Sequence, residues 1–163
     1  MQFLLNATID TLPTGANLVR WNKKTSDKCV LCKCKETTLH ILNGCKVSLE
    51  MGKYLWRHNN IINYIFQSVD TDKFKVYADL PGYTVNGGTI PTDLCITAEK
   101  PDIVIIDQRT HSFYVIELTV PFESNVEARH TEKSNKYAHF SLDIAAMNTH
   151  VICFEIRARG YIL

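Results

Sequence analysis

The chain has 163 residues, of which 45% are hydrophobic, 21% charged and 10% aromatic. This composition is typical of one globular domain, or of a domain with a small added module, and it excludes disordered, collagen-like and coiled-coil proteins. Lysine and arginine together number 18 against 17 aspartates and glutamates, so no overall basic charge indicates a nucleic-acid or membrane partner.

The sequence also lacks the features of membrane and secreted proteins. Its longest apolar runs are too short to span a membrane. The first residues, Met1 to Leu5, carry no positive charge and are too few for a signal peptide. We therefore expect an intracellular protein that has no membrane partner.

Four of the six cysteines lie close together near the N-terminus. Without a secretory signal, a metal site explains such a group better than disulfides do. The array Cys-x2-Cys-x7-His-x4-Cys, formed by Cys29, Cys32, His40 and Cys45, offers three thiolates and one imidazole to a tetrahedral zinc ion. Cys34 could replace a neighbouring cysteine as ligand. The alternative to a metal site is that the cysteines are reduced and pack as small hydrophobic residues.

The chain is predicted to divide after this array. Residues 1–50 form an N-terminal segment with a zinc knuckle, and residues 51–163 form a second domain that mixes helices and strands. The elements expected in the second domain are, in chain order, a helix over 53–69, strands over 74–80, 102–107 and 112–120, a helix over 123–148 and a strand over 150–157.

The first of these helices contains two polar residues of interest. Leu55, Ile62 and His58 fall on its apolar stripe, whereas Arg57 points to nearly the opposite side. A hydrogen-bonded core histidine is the simpler interpretation of His58. The alternative is a polar group that reaches a nearby site.

The second and third strands predict an acidic pair. If the hairpin loop between them is centred between Arg109 and Thr110, Asp102 lies directly opposite Glu117. Cross-strand partners have β-carbons about 5 Å apart, and like charges at that distance are destabilising unless a cation lies between them. Because the residues around Glu117 are apolar, solvation does not explain its charge. The pair therefore predicts a site for a divalent metal.

The helix over 123–148 brings further polar groups to the same place. Helical periodicity puts Lys133 on its inward stripe with His130, and Tyr137 one turn further on. Lys136 lies at the flank of the stripe, so Lys133 is the first candidate to meet the carboxylates and Lys136 the second. The competing interpretation is a long lysine that extends from a helix edge into solvent.

The acidic motifs resemble those of a known enzyme family. Lys100-Pro101-Asp102 with its apolar strand, and the stretch Glu-Leu-Thr-Val-Pro-Phe-Glu that begins at Glu117, resemble the PD-(D/E)xK restriction-like nucleases. With the zinc array, Leu12-Pro13-Thr14 and Trp56-Arg57-His58-Asn59, nearly the whole chain is similar to the endonuclease region of site-specific non-LTR retrotransposon reverse transcriptase proteins.

The resemblance implies a fold and an activity. The fold is a restriction-endonuclease-like core (αβββαβ) after a small zinc knuckle, in the α/β (α+β) class. The implied activity is a magnesium-dependent or manganese-dependent endonuclease that nicks duplex DNA, with the metal on Asp102 and Glu117. Position 119 is threonine where the short-spaced motif has lysine. The resemblance therefore takes the lysine from the next helix, with Lys133, Lys136 and Tyr137 as catalytic candidates.

The partners implied are DNA and the RNA of the element. Arg57, His58 and Arg129 are the candidates for contacts with nucleic acid, and a nuclear location is expected. An inactive nucleic-acid-binding module or an element remnant is the alternative, which the near-neutral charge favours slightly. Because the resembled proteins carry a polymerase before this region, we expect a fragment, a remnant or a derived gene, with a final segment missing at the C-terminus as a further alternative.

Overall fold

The computed structural model describes residues 2–82, 88–92, 94, 100–137 and 148–159, and they form a mixed α/β structure. The predicted class is confirmed. The helices are α1 (Gln2–Thr8), α2 (Gly15–Arg20), α3 (Lys46–Glu50), α4 (Lys53–Ser68) and α5 (Val126–Tyr137), and the strands are β1 (Lys75–Ala78), β2 (Ile103–Asp107), β3 (Ser112–Thr119) and β4 (Asn148–Glu155). Within these ranges, no helix has the combination of length and apolar character that crossing a bilayer requires.

The chain divides into two compact units. The first, here called the cysteine unit, comprises Met1–Arg57, Val120–Val126 and Ile156–Leu163. The second, here called the sheet unit, comprises His58–Thr119 and Glu127–Glu155. The division into domains at residue 50 stays a prediction.

The start of α2 shows how the cysteine unit orders its N-terminal segment. The Thr14 hydroxyl accepts a hydrogen bond from the backbone N–H of Asn17 at 3.2 Å and caps the helix. The Asn17 amide in turn donates to the carbonyls of Asp10 and Leu12, both at 2.8 Å. Polar side chains therefore hold this turn in place.

The sheet unit has four strands in the order β1-β2-β3-β4. The pairs β1–β2 and β2–β3 are antiparallel, and β4 lies parallel to β3. In the hairpin, Ile103 pairs with Ile116 and Asp107 with Ser112, which confirms the predicted register. Continued by one residue, that register sets Asp102 opposite Glu117.

Alternation along β2 and β3 builds the core of the sheet unit. Val104 and Ile106 on β2, and Phe113 and Val115 on β3, are buried on one face together with Tyr137 of α5. Ile103 and Leu118 on the opposite face are buried as well, which is the pattern of a strand pair covered on both sides. Glu117 belongs to the face that carries Phe113 and Val115.

Two predicted elements differ from those observed. The helix expected over 123–148 begins with a 3-10 turn and continues as α5 to Tyr137, and residues 138–147 lie outside the described part. Asn148 is not helical, since it begins β4 and pairs with Ser112. Leu55, expected on a buried stripe of α4, is 62% exposed, so only the later turns of that helix, around Ile62, contribute to a core.

Asp107 closes the β2–β3 hairpin and makes its stability depend on pH. Its Oδ1 accepts hydrogen bonds from the backbone N–H groups of Arg109 at 2.9 Å and Thr110 at 3.3 Å. Burial on its own would raise the pKa of Asp107, but the hydrogen bonds from Thr110 and Arg109 and the charge of Arg109 outweigh it and lower the pKa. The ionised carboxylate therefore stabilises the folded state.

We predict that the native chain is more stable to urea than Asp107→Asn near neutral pH, and that this difference shrinks in acid. A lowered folded-state pKa gives stability that is present above the unfolded-state value of 3.8 and is lost as the pH falls through the folded-state value. Urea midpoints of both proteins across this range test it. A difference that stays constant from neutral pH to strong acid would contradict the assignment.

Candidate metal centres

The four residues of the predicted zinc array lie together in the cysteine unit. The ligand atoms of Cys29, Cys32, His40 and Cys45 are all within 4.8 Å of one another, so the cluster could hold a metal ion such as zinc. Cys32 Sγ lies 3.1 Å from His40 Nε2. Cys29, His40 and Cys45 are buried, and Cys34 is exposed and outside the cluster. The geometry thus favours Cys32 over Cys34 as the second thiol.

Backbone hydrogen bonds shape the loop that carries the first two cysteines. The N–H of Cys29 donates to the carbonyl of Cys34 at 2.7 Å, and the N–H of Lys33 donates to the carbonyl of Cys29 at 3.0 Å. Lys33 has a φ of 62°, the left-handed conformation that reverses the chain within this short loop. The reversal brings Cys29 and Cys32 to the same side.

Tyr54 fixes the second half of the cluster. Its hydroxyl accepts a hydrogen bond from the backbone N–H of Cys45 at 2.9 Å and lies 3.3 Å from the carbonyl oxygen of His40. His40 begins a π-helical turn, His40–Gly44, whose N-terminal side is held by the Thr37 hydroxyl. One side chain of α4 therefore sets the separation of the third and fourth ligands.

The thiols influence the ionisation of one another. Hydrogen bonds from Ser48 lower the pKa of Cys45 to about 6. A backbone hydrogen bond from Cys34 lowers the pKa of Cys32, but burial and the neighbouring sulfurs outweigh it and raise the pKa to about 11. One thiolate forms readily and another does not, because the second negative charge lies next to the first. A cation is needed to hold three thiolates together.

The cluster fits zinc in ligand type, in spacing and in access. Zinc–sulfur bonds of about 2.3 Å in a tetrahedron separate the ligand atoms by about 3.8 Å, within the observed limit of 4.8 Å. A cavity of about 700 Å³ borders Cys29, His40 and Cys45, so three of the four candidate ligands line open space.

We predict that the purified chain contains one zinc ion and that Cys45→Ser abolishes it. Removal of one of four ligands opens the site and weakens metal binding and folding together. Elemental analysis and thermal unfolding measure both effects. Cys34→Ser is the matched control and should retain zinc and stability. Equal zinc loss in the two variants would show that the ligand set is wrong.

A second candidate centre lies on the sheet unit around Glu117. The Glu117 side chain is only 3% exposed, and its Oε1 contacts the ammonium of Lys133. The Tyr137 hydroxyl lies 2.8 Å from Oε2, and it accepts a hydrogen bond from Lys136 at the same distance. Lys136 is 3.9 Å from Oε1. The structure thus brings Glu117, Lys133, Lys136 and Tyr137 together, as the sequence predicted.

Asp102 lies beside this group at the start of β2. Its Oδ2 accepts a hydrogen bond at 2.8 Å from the backbone N–H of Leu118, the residue that follows Glu117. The backbone of Asp102 is held too, since its carbonyl accepts from the N–H of Asp79 at 2.9 Å. Both the register and this hydrogen bond therefore keep the Asp102 carboxylate next to the Glu117 segment of β3.

His58 contacts the same carboxylate. Its Nε2 lies 3.3 Å from Asp102 Oδ2 and 3.2 Å from the carbonyl oxygen of Leu118, and its Nδ1 lies 3.3 Å from Asn59 Oδ1. Burial by itself lowers the pKa of His58, but the hydrogen bond with Asp102 and the charge of that group outweigh it and raise the pKa. Both ring nitrogens of His58 thus face acceptors within the sheet unit.

One face of α5 carries polar contacts that the sequence did not reveal. His130 Nδ1 lies 2.8 Å from Glu155 Oε1 on β4, and Glu155 is buried. Ser134 forms a hydrogen bond with Cys153. Helical spacing puts His130 on the inward stripe, but its partner Glu155 cannot be recognised without knowing that β4 lies parallel to β3.

The remaining nucleic-acid candidates are engaged in contacts within the protein. The Arg57 guanidinium donates to the carbonyl of Leu42 at 2.9 Å and lies over the ring of Tyr54 in the cysteine unit. Burial lowers the pKa of Arg57. Arg129 is exposed on α5 and forms an ion pair with Glu132 at 2.6 Å. Of these two, only Arg129 presents a largely solvent-exposed side chain.

Comparison of the sequence with models of protein families and with curated proteins finds no match. The candidate function therefore depends on the geometry of the two sites and on the resemblance of the motifs.

Proposed function

We propose that the sheet unit is a metal-dependent DNA endonuclease that nicks duplex DNA by phosphodiester hydrolysis. The observation that carries the proposal is Glu117, a buried carboxylate that contacts Lys133 and Tyr137 and lies next to Asp102 on the neighbouring strand. Two acidic residues from neighbouring segments, one of them in contact with a lysine, form a site suited to a hard cation and a phosphate. The proposed setting is a non-LTR retrotransposon protein, or a gene derived from one, that acts in the nucleus.

Asp102 and Glu117 are the residues that would hold magnesium or manganese. Carboxylate oxygens are the ligands these ions prefer. Within the described part of the chain, the side-chain contacts of Asp102 all use Oδ2, which leaves Oδ1 for a cation. A bound divalent ion supplies Lewis-acid stabilisation of the phosphate and makes water a better nucleophile.

The other groups of the site act on charge and position. The Lys133 ammonium neutralises Glu117 before metal binds and can balance negative charge on the phosphate during the reaction. Tyr137 holds the second oxygen of Glu117 and lies 3.2 Å from the carbonyl oxygen of Lys100, so it fixes the carboxylate against β2. Lys136, bonded to Tyr137, is a supporting cation.

The order of elements supports a restriction-endonuclease-like core. In the sheet unit the last turns of α4 are followed by β1, β2, β3, α5 and β4, which is the αβββαβ order that the resemblance implies. Asp102 directly precedes the second strand, Glu117 lies on the third strand, and the lysine lies on the following helix. The same arrangement supplies the lysine although position 119 is threonine.

The distribution of charge supports DNA as the partner. The cysteine unit contains eleven lysines and arginines against five acidic residues, whereas the sheet unit contains seven against twelve. The near-neutral total therefore conceals a basic unit, and neutralisation of phosphates is the main source of affinity for nucleic acids. We propose that zinc organises this basic unit and that it provides the contacts with DNA and with element RNA.

A second candidate is a nucleic-acid-binding module that no longer cleaves. The observation that favours it is that both oxygens of Glu117 are engaged by groups of the protein, Lys133 and Tyr137. A carboxylate neutralised in this way can persist for stability alone. The two candidates differ in one property, which is strand cleavage in the presence of a divalent metal.

We predict that the chain nicks supercoiled plasmid in magnesium and not in chelator. Asp102→Ala and Glu117→Gln should each lower the rate by about 100-fold or more, because each removes a carboxylate that would hold the metal ion. Gel assays that quantify relaxed plasmid measure the rate. The matched control is Glu127→Gln, because Glu127 is an exposed acidic residue on α5. Nicking that persists in Asp102→Ala would refute the assignment, and metal-dependent DNA binding without nicking would support the second candidate.

We predict different effects for the two lysines. Lys133→Met leaves Glu117 as a buried carboxylate without its direct cation, and should lower the free energy of unfolding by about 3 kcal/mol as well as abolish nicking. Lys136→Met removes a more distant cation and should lower the nicking rate only about tenfold, with little loss of stability.

A double variant separates stability from chemistry at this pair. Lys133→Met combined with Glu117→Gln removes both charges, so the free energy of unfolding should recover while nicking remains absent. Urea unfolding and plasmid nicking are measured on the same preparations. A double variant as unstable as Lys133→Met alone would show that the ion pair does not account for the loss.

A further inference from the structure

The amino-acid sequence leaves the role of His58 open, and its contacts in the structure bear on that role. The sequence favours a hydrogen-bonded core histidine and also makes His58 a candidate for contact with nucleic acid. Both of its ring nitrogens face acceptors inside the sheet unit, as expected for the first interpretation. The imidazole contacts Asp102, which the proposed function uses as a metal ligand. The arrangement of donors around that carboxylate indicates a different role.

Two donors converge on one oxygen of Asp102. The backbone N–H of Leu118 donates to Oδ2 at 2.8 Å, and His58 Nε2 reaches the same atom at 3.3 Å. A carboxylate held through one oxygen by two donors from different elements cannot rotate freely, so its other oxygen is presented in one fixed direction. The orientation of Oδ1 therefore depends on His58 as well as on β3.

The same nitrogen also contacts β3. His58 Nε2 lies 3.2 Å from the carbonyl oxygen of Leu118, whose N–H is the other donor to Asp102. The imidazole thus bridges both polar backbone atoms of Leu118, one directly and one through the carboxylate. Because Leu118 follows Glu117, this small network connects α4, Asp102 and the strand that carries the second acid.

We infer that His58 is a positioning residue that orients the Asp102 carboxylate for a divalent cation. This inference rests on the proposed function, because it assumes that Asp102 binds the metal. Groups that hold a metal ligand in place change metal affinity by about 10-fold to 100-fold when they are removed. A histidine that only contacts DNA phosphates has no such effect.

The choice of substitutions tests which ring nitrogen matters. The amide nitrogen of glutamine can take the place of Nε2, whereas that of asparagine lies nearer to the place of Nδ1. His58→Gln should therefore keep the donor to Asp102, and His58→Asn should lose it while remaining polar. His150→Asn is the matched control, since His150 is exposed on β4 and stacks on Tyr114.

The measurement is the affinity for Mn²⁺, determined by electron paramagnetic resonance of the free ion on the full chain loaded with zinc. Asp102→Ala identifies the part of the binding that belongs to this site. His58→Asn should weaken that binding about tenfold or more, and His58→Gln and His150→Asn should stay within about threefold of the native chain. Affinity for a labelled DNA duplex without divalent metal should stay nearly unchanged in all three.

Each other outcome overturns the inference in a distinguishable way. If His58→Asn keeps native Mn²⁺ affinity while Asp102→Ala loses binding, His58 has no positioning role and the proposed function stands. Weaker DNA binding with unchanged Mn²⁺ affinity assigns His58 to DNA contact instead. If Asp102→Ala does not change Mn²⁺ binding, the metal site, and the proposed function with it, fails. Thermal unfolding checks that the variants compared are folded. If His58→Asn is not folded, His58→Ala takes its place, and native Mn²⁺ affinity in His58→Ala overturns the role.

Discussion

A carboxylate buried in an apolar core determines the arrangement of the sheet unit. Transfer of a charge from water to a protein interior is strongly unfavourable unless a partner of opposite charge and hydrogen bonds compensate it. Glu117 receives this compensation from α5, through Lys133 and Tyr137. Apolar contacts alone would tolerate several rotations of α5, because dispersion and burial are not directional. The contacts of Glu117 with Lys133 and Tyr137 fix the rotation of α5 about its axis. The same rotation brings the ammonium of Lys136 within 3.9 Å of the Glu117 carboxylate.

The hairpin explains why the placement of Asp102 near Glu117 could be predicted from sequence. Its two strands are adjacent in the chain, and the register of a hairpin follows from the length of its loop. Asp107 fixes that loop by accepting hydrogen bonds from Arg109 and Thr110, and the register is kept as far as the pair Ile103 and Ile116, next to Asp102 and Glu117. Helical periodicity then identified Lys133, and ligand spacing identified the cysteine cluster. Each of these signals is local, and local patterns survive in the folded protein.

Contacts between distant segments were not accessible in the same way. The pairing of β4 with β3 is parallel and non-local, so neither Glu155 as the partner of His130 nor Ser134 as the partner of Cys153 follows from any repeat in the sequence. The contact of His58 with Asp102 joins residues from separate elements, and periodicity indicated only the face on which His58 lies. The prediction that the helix extends to Asn148 was wrong for a related reason. Strand pairing, and not helix propensity, decides where β4 begins.

The opposite charges of the two units give the proposed function a division of labour. A sheet unit with twelve acidic and seven basic residues repels a polyanion at long range. On the proposed function, affinity for DNA would then come from the basic cysteine unit, which carries the cluster of three cysteines and one histidine. Approach of a phosphate to Glu117 and Asp102 requires cations, either Lys133 and Lys136 or a divalent ion. DNA affinity would accordingly depend on zinc and on salt concentration, whereas the cleavage rate would depend on the divalent metal at Asp102 and Glu117. The two dependences differ because binding and cleavage belong to different units.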